Sequence, residues 1–403
     1  MSNEANKPWV HAMWDVSPYN FSAGLQNHLK KQIEIHDTTL RDGLSDPSRG
    51  IFTSTQQKVE MARMLDDLGI RRIEIGLTTP ESLEELKTFG QAGLKAKTFA
   101  MTPTSSFKWK DWEAIDIALK AGLSGVVLNF PISKQLVNHF LPGWNMEQIL
   151  AKSVGMARYA KEKGLFVNFF PYDTTRAEPD FIERLLKSAV GEAHIDTVSI
   201  IDTLGVGSPH GIASMVRMMR QWVADIPIEL HMHNDFNLAI ANTLAGIENG
   251  ASAVHTTING IGKMPATEDI ITCLRILYGV ELCINYGDLS NCCNRIREIG
   301  RWEQDPYRPI SGKYAFGYDS DERLNENRSQ KAPFLPEFIG SQYHLIVSGR
   351  TGPEGIRWNL KQLGKEASEE QVKRISTKIA EEWGEKGRAL RDEEFKSIVD
   401  GIV

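Results

Sequence analysis

The chain has 403 residues, a formal net charge of −6, 41% apolar and 24% charged residues. This is the balance of a globular protein with a large core, and the interspersed charges argue against nucleic acid or an anionic membrane as the main partner. No apolar run approaches the roughly 18–20 residues of a membrane span, and the polar N-terminus lacks the apolar core of a signal peptide, so a cytoplasmic location is expected.

Residues 1–30 read as a short N-terminal arm whose Trp9, Trp14 and Phe21 imply that it packs against something. From about residue 31, short apolar runs alternate with amphipathic stretches. The runs are Ile33–His36, Arg72–Leu77, Lys95–Met101, Gly125–Phe130, Leu165–Phe170, Thr197–Ile201, Ile226–His231 and Ala253–Ile258. The first helix shows the signals plainly. Ser54 and Gln57 have capping-box spacing, Met61, Met64, Leu65 and Leu68 recur on one face, and Gly69 supplies the stop. The stretch Thr267–Tyr278 is the helix expected after the last run.

Near-continuous apolar strands separated by helices predict a parallel sheet covered by helices, and eight such repeats predict closure into a (β/α)8 barrel over residues 31–285. An open Rossmann-like sheet would need a G-x-G-x-x-G loop after the first strand, where RDGLSDPSRG stands instead. Cys273, Cys283, Cys292 and Cys293 show no paired CxxC spacing and read as reduced packing residues. After residue 285 the alternation stops. Pro306, Pro309, Gly312 and Gly317 mark a loop-rich connector, and Glu369–Lys386 reads as a long charged helix within C-terminal subdomains spanning 286–403.

In such a barrel the active groups stand at the carboxyl ends of strands. His36-Asp37-Thr38-Thr39-Leu40-Arg41-Asp42-Gly43 closes strand one and His231-Met232-His233-Asn234-Asp235 closes strand seven. Strand periodicity puts His231 and His233 on one side. With Asp42 as the anion they form an N/O donor set suited to Mg²⁺, Mn²⁺, Co²⁺ or Zn²⁺. The competing reading has one histidine packed in the core and the other capping a helix. Arg41 beside the metal could hold a carbonyl or enolate oxygen. Glu74, in an apolar strand, needs a partner if buried, so it either pairs with Arg41 or takes part in the chemistry. Thr203 could donate to a substrate carboxylate or act as a turn hydroxyl. Arg176 could bind an acid or lie on a helix surface.

HDTTLRDG and HMHND, with TINGIG at Thr257–Gly262 closing strand eight, resemble the DRE-TIM metallolyases. That superfamily includes homocitrate, isopropylmalate and citramalate synthases, hydroxymethylglutaryl-CoA lyase and 4-hydroxy-2-oxovalerate aldolase. The resemblance implies Asp42, His231 and His233 as metal ligands, Arg41 polarising an oxo group, and a 2-oxo acid substrate with an acyl-CoA partner. Pro336-Glu-Phe-Ile-Gly340 and Ser348-Gly-Arg-Thr-Gly352 look like the subdomains of the synthase branch, and this appendage with the aromatic N-terminal arm suggests a homodimer.

Several positions depart from that branch. Lys263–Asp269 replaces GERAGN, Tyr318–Arg323 replaces HxxGIH, Leu44-Ser45 replaces Glu-Gln, and Tyr172 precedes Asp173 where an acid is usual. Tyr318 or Asp319 is the candidate for the proton transfer of the absent histidine. The favoured expectation is a Claisen-type condensation of an acyl-CoA with a 2-oxo acid. Cleavage of a hydroxy acid or hydroxyacyl-CoA by a metal-dependent lyase is the alternative, and a catalytically silent binding protein the remote one.

Overall fold

The computed structural model describes residues 7–21, 32–45, 53–109, 112–318 and 332–403. They form two compact units, one of residues 17–303 and one combining residues 1–16 with 304–403.

The first unit is a closed parallel barrel, as the eight apolar runs predict. Its strands are β1 (Glu34–Asp37), β2 (Arg72–Leu77), β3 (Lys97–Met101), β4 (Gly125–Pro131), β5 (Phe166–Tyr172), β6 (Thr197–Asp202), β7 (Ile228–Met232) and β8 (Ala253–Thr256). Closure is made by β8, which pairs with β7 and also with β1 in the register His255↔His36 and Thr256↔Asp37. Helices α1 (Thr55–Leu68), α2 (Leu83–Gly90), α3 (Glu113–Lys120), α4 (Met146–Glu162), α5 (Pro179–Ser188), α6 (Pro209–Val223), α7 (Ala239–Glu248) and α8 (Thr267–Leu277) alternate with the strands. The capping box of α1 is made on both sides, Gln57 N donating to Ser54 Oγ (3.3 Å) and Ser54 N to Gln57 Oε1 (2.9 Å), and Gly69 ends the helix at φ 108°.

Alternation assigns the strand residues to their sides. Leu230 of β7 faces α7, where Gly246 leaves room for it. Glu229 and His231 therefore face inward. Inside the barrel, Arg72 of β2 meets Glu229 of β7, and Asn168 of β5 reaches the same carboxylate. These strands are not neighbours, so their side chains meet across the interior. Beside these polar groups lies an apolar cluster of Phe99, Val127, Phe170 and Ile201, with the Arg72 guanidinium 4.9 Å from the Phe99 ring centroid.

Helix α9 (Leu289–Gly300) packs its buried Leu289, Cys292, Cys293, Ile296 and Ile299 within the barrel unit, so the compact body runs past the boundary drawn at 286. It adds a helix without a strand, which is why the alternation gives no sign of it. None of the four cysteines is in a disulfide; Cys292 and Cys293 are buried.

In the second unit α10 (Pro353–Gln362), α11 (Glu369–Lys386) and α12 (Asp392–Asp400) close over Ile356, Leu360, Val372, Ile375, Ile379, Phe395 and Val399. Helix α11 has the limits its charged pattern predicts. Two short strands, Gly317–Tyr318 and His344–Leu345, pair in parallel. The N-terminal arm divides between the units. Trp14 packs edge-on against Phe338 (5.1 Å) in this one, whereas Phe21 lies beside Gly279 of the barrel unit. Among the described residues no helix is long and apolar enough to cross a membrane.

Ile375 has no exposed surface. Ile375→Ala is expected to destabilise the C-terminal unit by about 2–5 kcal/mol in chemical denaturation; a loss under about 1 kcal/mol would place the core of that unit elsewhere.

Candidate active site

The site stands at the carboxyl ends of β1, β2, β7 and β8. After β1 the backbone makes a single π-helical turn, Thr39–Gly43. Asp37 holds it. Its carboxylate accepts from Thr39 N (2.9 Å), Thr39 Oγ1 (3.0 Å) and Thr267 Oγ1 (3.3 Å), and burial pushes its carboxyl up to about 7. The Thr39 hydroxyl in turn accepts from Ile258 N (2.8 Å), which latches the strand-eight loop to the turn.

That turn aims Arg41 and Asp42 together. Arg41 binds Glu74 through Nε (2.8 Å) and Nη2 (3.0 Å), a fork-on-carboxylate pair, and Nη1 contacts Asp42 Oδ1. Glu74 is fully buried, so the expected need for a partner is met by Arg41. Burial works against the guanidinium charge, but Asp42 and Glu74 outweigh it and hold the Arg41 pKa above its ordinary value. The other oxygen of Asp42, Oδ2, is buried without a hydrogen-bond partner. It lies 3.5 Å from His231 Nε2, which is 3.3 Å from His233 Nε2. The expected three ligands therefore converge in pairs on His231 Nε2. Burial and then the neighbouring His233, His255 and Arg41 lower the His231 pKa well below the usual imidazole value; burial also lowers that of His233. Two neutral imidazoles and a carboxylate with one oxygen unpartnered are the donor set that a divalent cation fits.

Behind this set lies a polar network that the apolar look of the strands concealed. His231 Nδ1 is 3.2 Å from His255 Nδ1, and His255 Nε2 is 2.8 Å from Glu229 Oε2. Arg72 grips both oxygens of Glu229 (2.7 and 3.3 Å), and Asn168 Nδ2 donates to Oε2 (2.6 Å). Burial opposes the Glu229 charge, yet Arg72 and the donating imidazoles hold its carboxyl well below the usual range. The sequence signal for these residues is the polar residue at every second position of β7, Glu229 and His231, and the histidine in the otherwise apolar start of β8.

The remaining candidates stand apart from this group. Thr203 accepts from Asp173 N (2.9 Å) and Arg176 binds both Asp173 oxygens (2.8 and 2.7 Å), so both organise Asp173, a buried residue at φ 67° that Ser133 also contacts. Tyr318 belongs to the other unit, where its ring lies 5.3 Å from that of Tyr343; Asp319–Arg323 fall outside the described residues. In the segment that replaces GERAGN, Lys263 binds Asp235 (2.7 Å). The Asn259 amide of TINGIG donates to Cys293 O (3.0 Å). A cavity of about 810 Å³ opens at the opposite end of the barrel, but its charged groups are already paired, Arg71 with Asp66 and Arg72 with Glu34 and Glu229.

Fold and mouth together define a (β/α)8 protein with an N/O donor cluster beside a fixed guanidinium. The family model described as HMGL-like matches residues 32–291, and the chain belongs to this family, the DRE-TIM group that its motifs resemble. It is 34% identical over 380 residues to a putative (R)-citramalate synthase of Archaeoglobus fulgidus, covering 92% of this chain and 76% of that protein. It is 33% identical over 395 residues to a homocitrate synthase of Methanothermobacter thermautotrophicus, covering 96% and 97%. Among solved structures, hydroxymethylglutaryl-CoA lyase from Pseudomonas aeruginosa shares the fold with a TM-score of 0.58 at 17% identity, over 68% of this chain and 94% of that one.

The strand-eight loop presses on the turn that carries Asp42. Gly262 has φ 70°, and a Cβ there would stand 2.5 Å from the Asp42 carbonyl oxygen. Gly93 has the same φ of 70° with nothing within 4 Å of a Cβ. Gly262→Ala should therefore cost more thermal stability than Gly93→Ala, whose strain is that of φ alone, about 1 kcal/mol. Equal losses in the two variants would mean that the loop does not hold Asp42.

Proposed function

We propose that this protein is a divalent-metal-dependent enzyme that condenses an acyl-CoA with a 2-oxo acid. The observation that carries the reading is the convergence of Asp42, His231 and His233 beside the Arg41–Glu74 pair. The likeness to the named synthases supports the direction of reaction, because it runs through the C-terminal unit and not the barrel alone.

In this reading Asp42, His231 and His233 hold the cation. When bound, it supplies Lewis acidity to the carbonyl and carboxylate of the 2-oxo acid. Arg41 directs its guanidinium at the oxygen on which charge develops, and Glu74 keeps it there, as a positioning residue. The fork geometry leaves Arg41 little rotational freedom, so its donors need not reorganise during the reaction. Thr203 keeps a hydroxyl hydrogen with which to meet a substrate carboxylate, and Arg176 stands beside it through their shared partner Asp173. Tyr318 is assigned the proton transfer of the missing synthase histidine from its sequence position. We also place the enzyme in the cytoplasm as a homodimer, a state that size-exclusion chromatography with light scattering would report.

A second reading, cleavage of a hydroxy acid or hydroxyacyl-CoA, draws on Leu44 and on the loss of the synthase histidine. One assay separates the two. With Mn²⁺, acetyl-CoA and a panel of 2-oxo acids, free thiol should appear with at least one acceptor. Release with none, and cleavage of a hydroxy acid instead, would move the assignment to a lyase.

Two variants check the roles. Arg41→Ala should retain bound metal and lose roughly 100-fold or more in kcat/KM, the scale of removing one preorganised donor; undiminished turnover would contradict its role. Tyr318→Phe should lower kcat while leaving KM and Mn²⁺ affinity within about twofold, and an unchanged kcat would remove Tyr318 from the mechanism.

A further inference from the structure

We infer that Glu229 and His255 form a relay that fixes the tautomer of His231, so that its Nε2 lone pair faces the cation site. The inference rests on the proposed cation site. Both are positioning residues: neither touches the place where substrate would lie, and both act through His231.

The hydrogen bonds determine the direction. Glu229 receives Arg72 Nη1 at 2.7 Å, Arg72 Nη2 at 3.3 Å and Asn168 Nδ2 at 2.6 Å. A guanidinium can only donate, so the carboxylate it grips is the acceptor. His255 Nε2, 2.8 Å from Glu229 Oε2, must therefore carry the hydrogen. In a neutral His255 that leaves a lone pair on Nδ1. His231 Nδ1 stands 3.2 Å away and must then be protonated, which puts the His231 lone pair on Nε2. That nitrogen is the one near Asp42 Oδ2 and His233 Nε2.

The rings are held in these orientations. Phe170 packs edge-on against His231 with centroids 5.0 Å apart and stacks on His255 at 5.8 Å. Strand geometry supplies the spacing: Glu229 and His231 are two apart on β7, and β8 pairs Ala253 with Glu229, bringing His255 up to the level of His231. A competing use of the same groups is direct coordination, since His36, Glu229 and His255 bring ligand atoms within 4.8 Å of one another. Arg72 opposes it, because a second cation there would face a guanidinium bound to both Glu229 oxygens.

The test joins nitrogen spectra to metal affinity. In metal-free wild type labelled with ¹⁵N-histidine, long-range ¹H–¹⁵N correlations should show hydrogen on Nδ1 of His231 and on Nε2 of His255. Titration with Mn²⁺ should give one equivalent per chain. His255→Phe, which removes the acceptor, should weaken Mn²⁺ binding by about 10- to 100-fold, the usual effect of losing the partner behind a ligating histidine. His255→Gln, whose amide can accept from one side and donate to the other, should stay within a few-fold of wild type.

Hydrogen on His231 Nε2 in the wild type would overturn the relay. So would a folded His255→Phe that binds Mn²⁺ as tightly as wild type, or a second bound Mn²⁺ that disappears in His36→Phe. If His255→Phe does not fold, the wild-type spectra and His255→Gln decide. Wild type that binds no Mn²⁺ sinks the proposed cation site, while the spectra still judge the relay separately.

Discussion

A carboxylate at the centre of this barrel has to be neutralised, and much of the interior is arranged around that requirement. Glu229 has no exposed surface. A lone carboxylate so placed would surrender its charge to a proton. Arg72 prevents that by gripping both oxygens, and its own guanidinium is flanked by the rings of Phe99 and Phe166 at 4.9 and 5.0 Å. Once Glu229 is an anion it must be supplied with donors. Asn168 and His255 supply them, and Ser199 orients Asn168 by donating to its Oδ1 (2.8 Å). A barrel interior that could have been filled with aliphatic side chains instead carries an ordered polar column whose upper end meets the mouth.

The second buried pair repeats the logic one layer higher. Arg41, in the turn after β1, and Glu74, in β2, match fork to carboxylate, leaving one guanidinium edge for Asp42. Removing either partner would strand a buried charge, which is far more damaging than the net stability of the pair would suggest. The pair is thus better understood as a device for orientation than as a source of stability. It fixes the guanidinium so that one edge meets Glu74 and Nη1 meets Asp42.

The sequence made the scaffold and the mouth legible to different degrees. Eight apolar runs with helical stretches between them are strong signals, since parallel strands covered on both faces must be apolar for most of their length. The mouth showed through because it uses polar residues where the pattern expects none: Arg41-Asp42 after β1, Glu74 within β2, and His231 and His233 two apart. The same rule applied to the strand interiors would have found Arg72, Glu229 and His255, but isolated polar residues inside short apolar runs look like scatter until the strands are closed into a ring. Asp37 was hidden for another reason. Its task is to hold a turn and a loop more than two hundred residues away, and only the β8–β1 pairing brings them together. The helix α9 carried no strand to announce it, and Tyr318 stands on the two-residue strand Gly317–Tyr318, too short for periodicity to resolve.

The seam between β8 and β1 is also where structure and proposed function constrain each other. Thr39 and Ile258 are hydrogen-bonded although 219 residues apart in sequence, and Thr38 N donates to Thr256 O at 2.8 Å. Bringing together segments so far apart in sequence costs chain entropy, and this seam is the pairing that completes the ring. Asp42 lies on one side of it and His231 on the other, with the Gly262 backbone pressed against the Asp42 carbonyl between them. A cation shared by Asp42, His231 and His233 would cross-link β1 to β7 over β8, and would bind the closed ring in preference to an open one. Binding of that kind stabilises the closed state by mass action. On the proposed reading, the residues that would hold the cation are therefore also the ones placed to tie the two sides of the seam together.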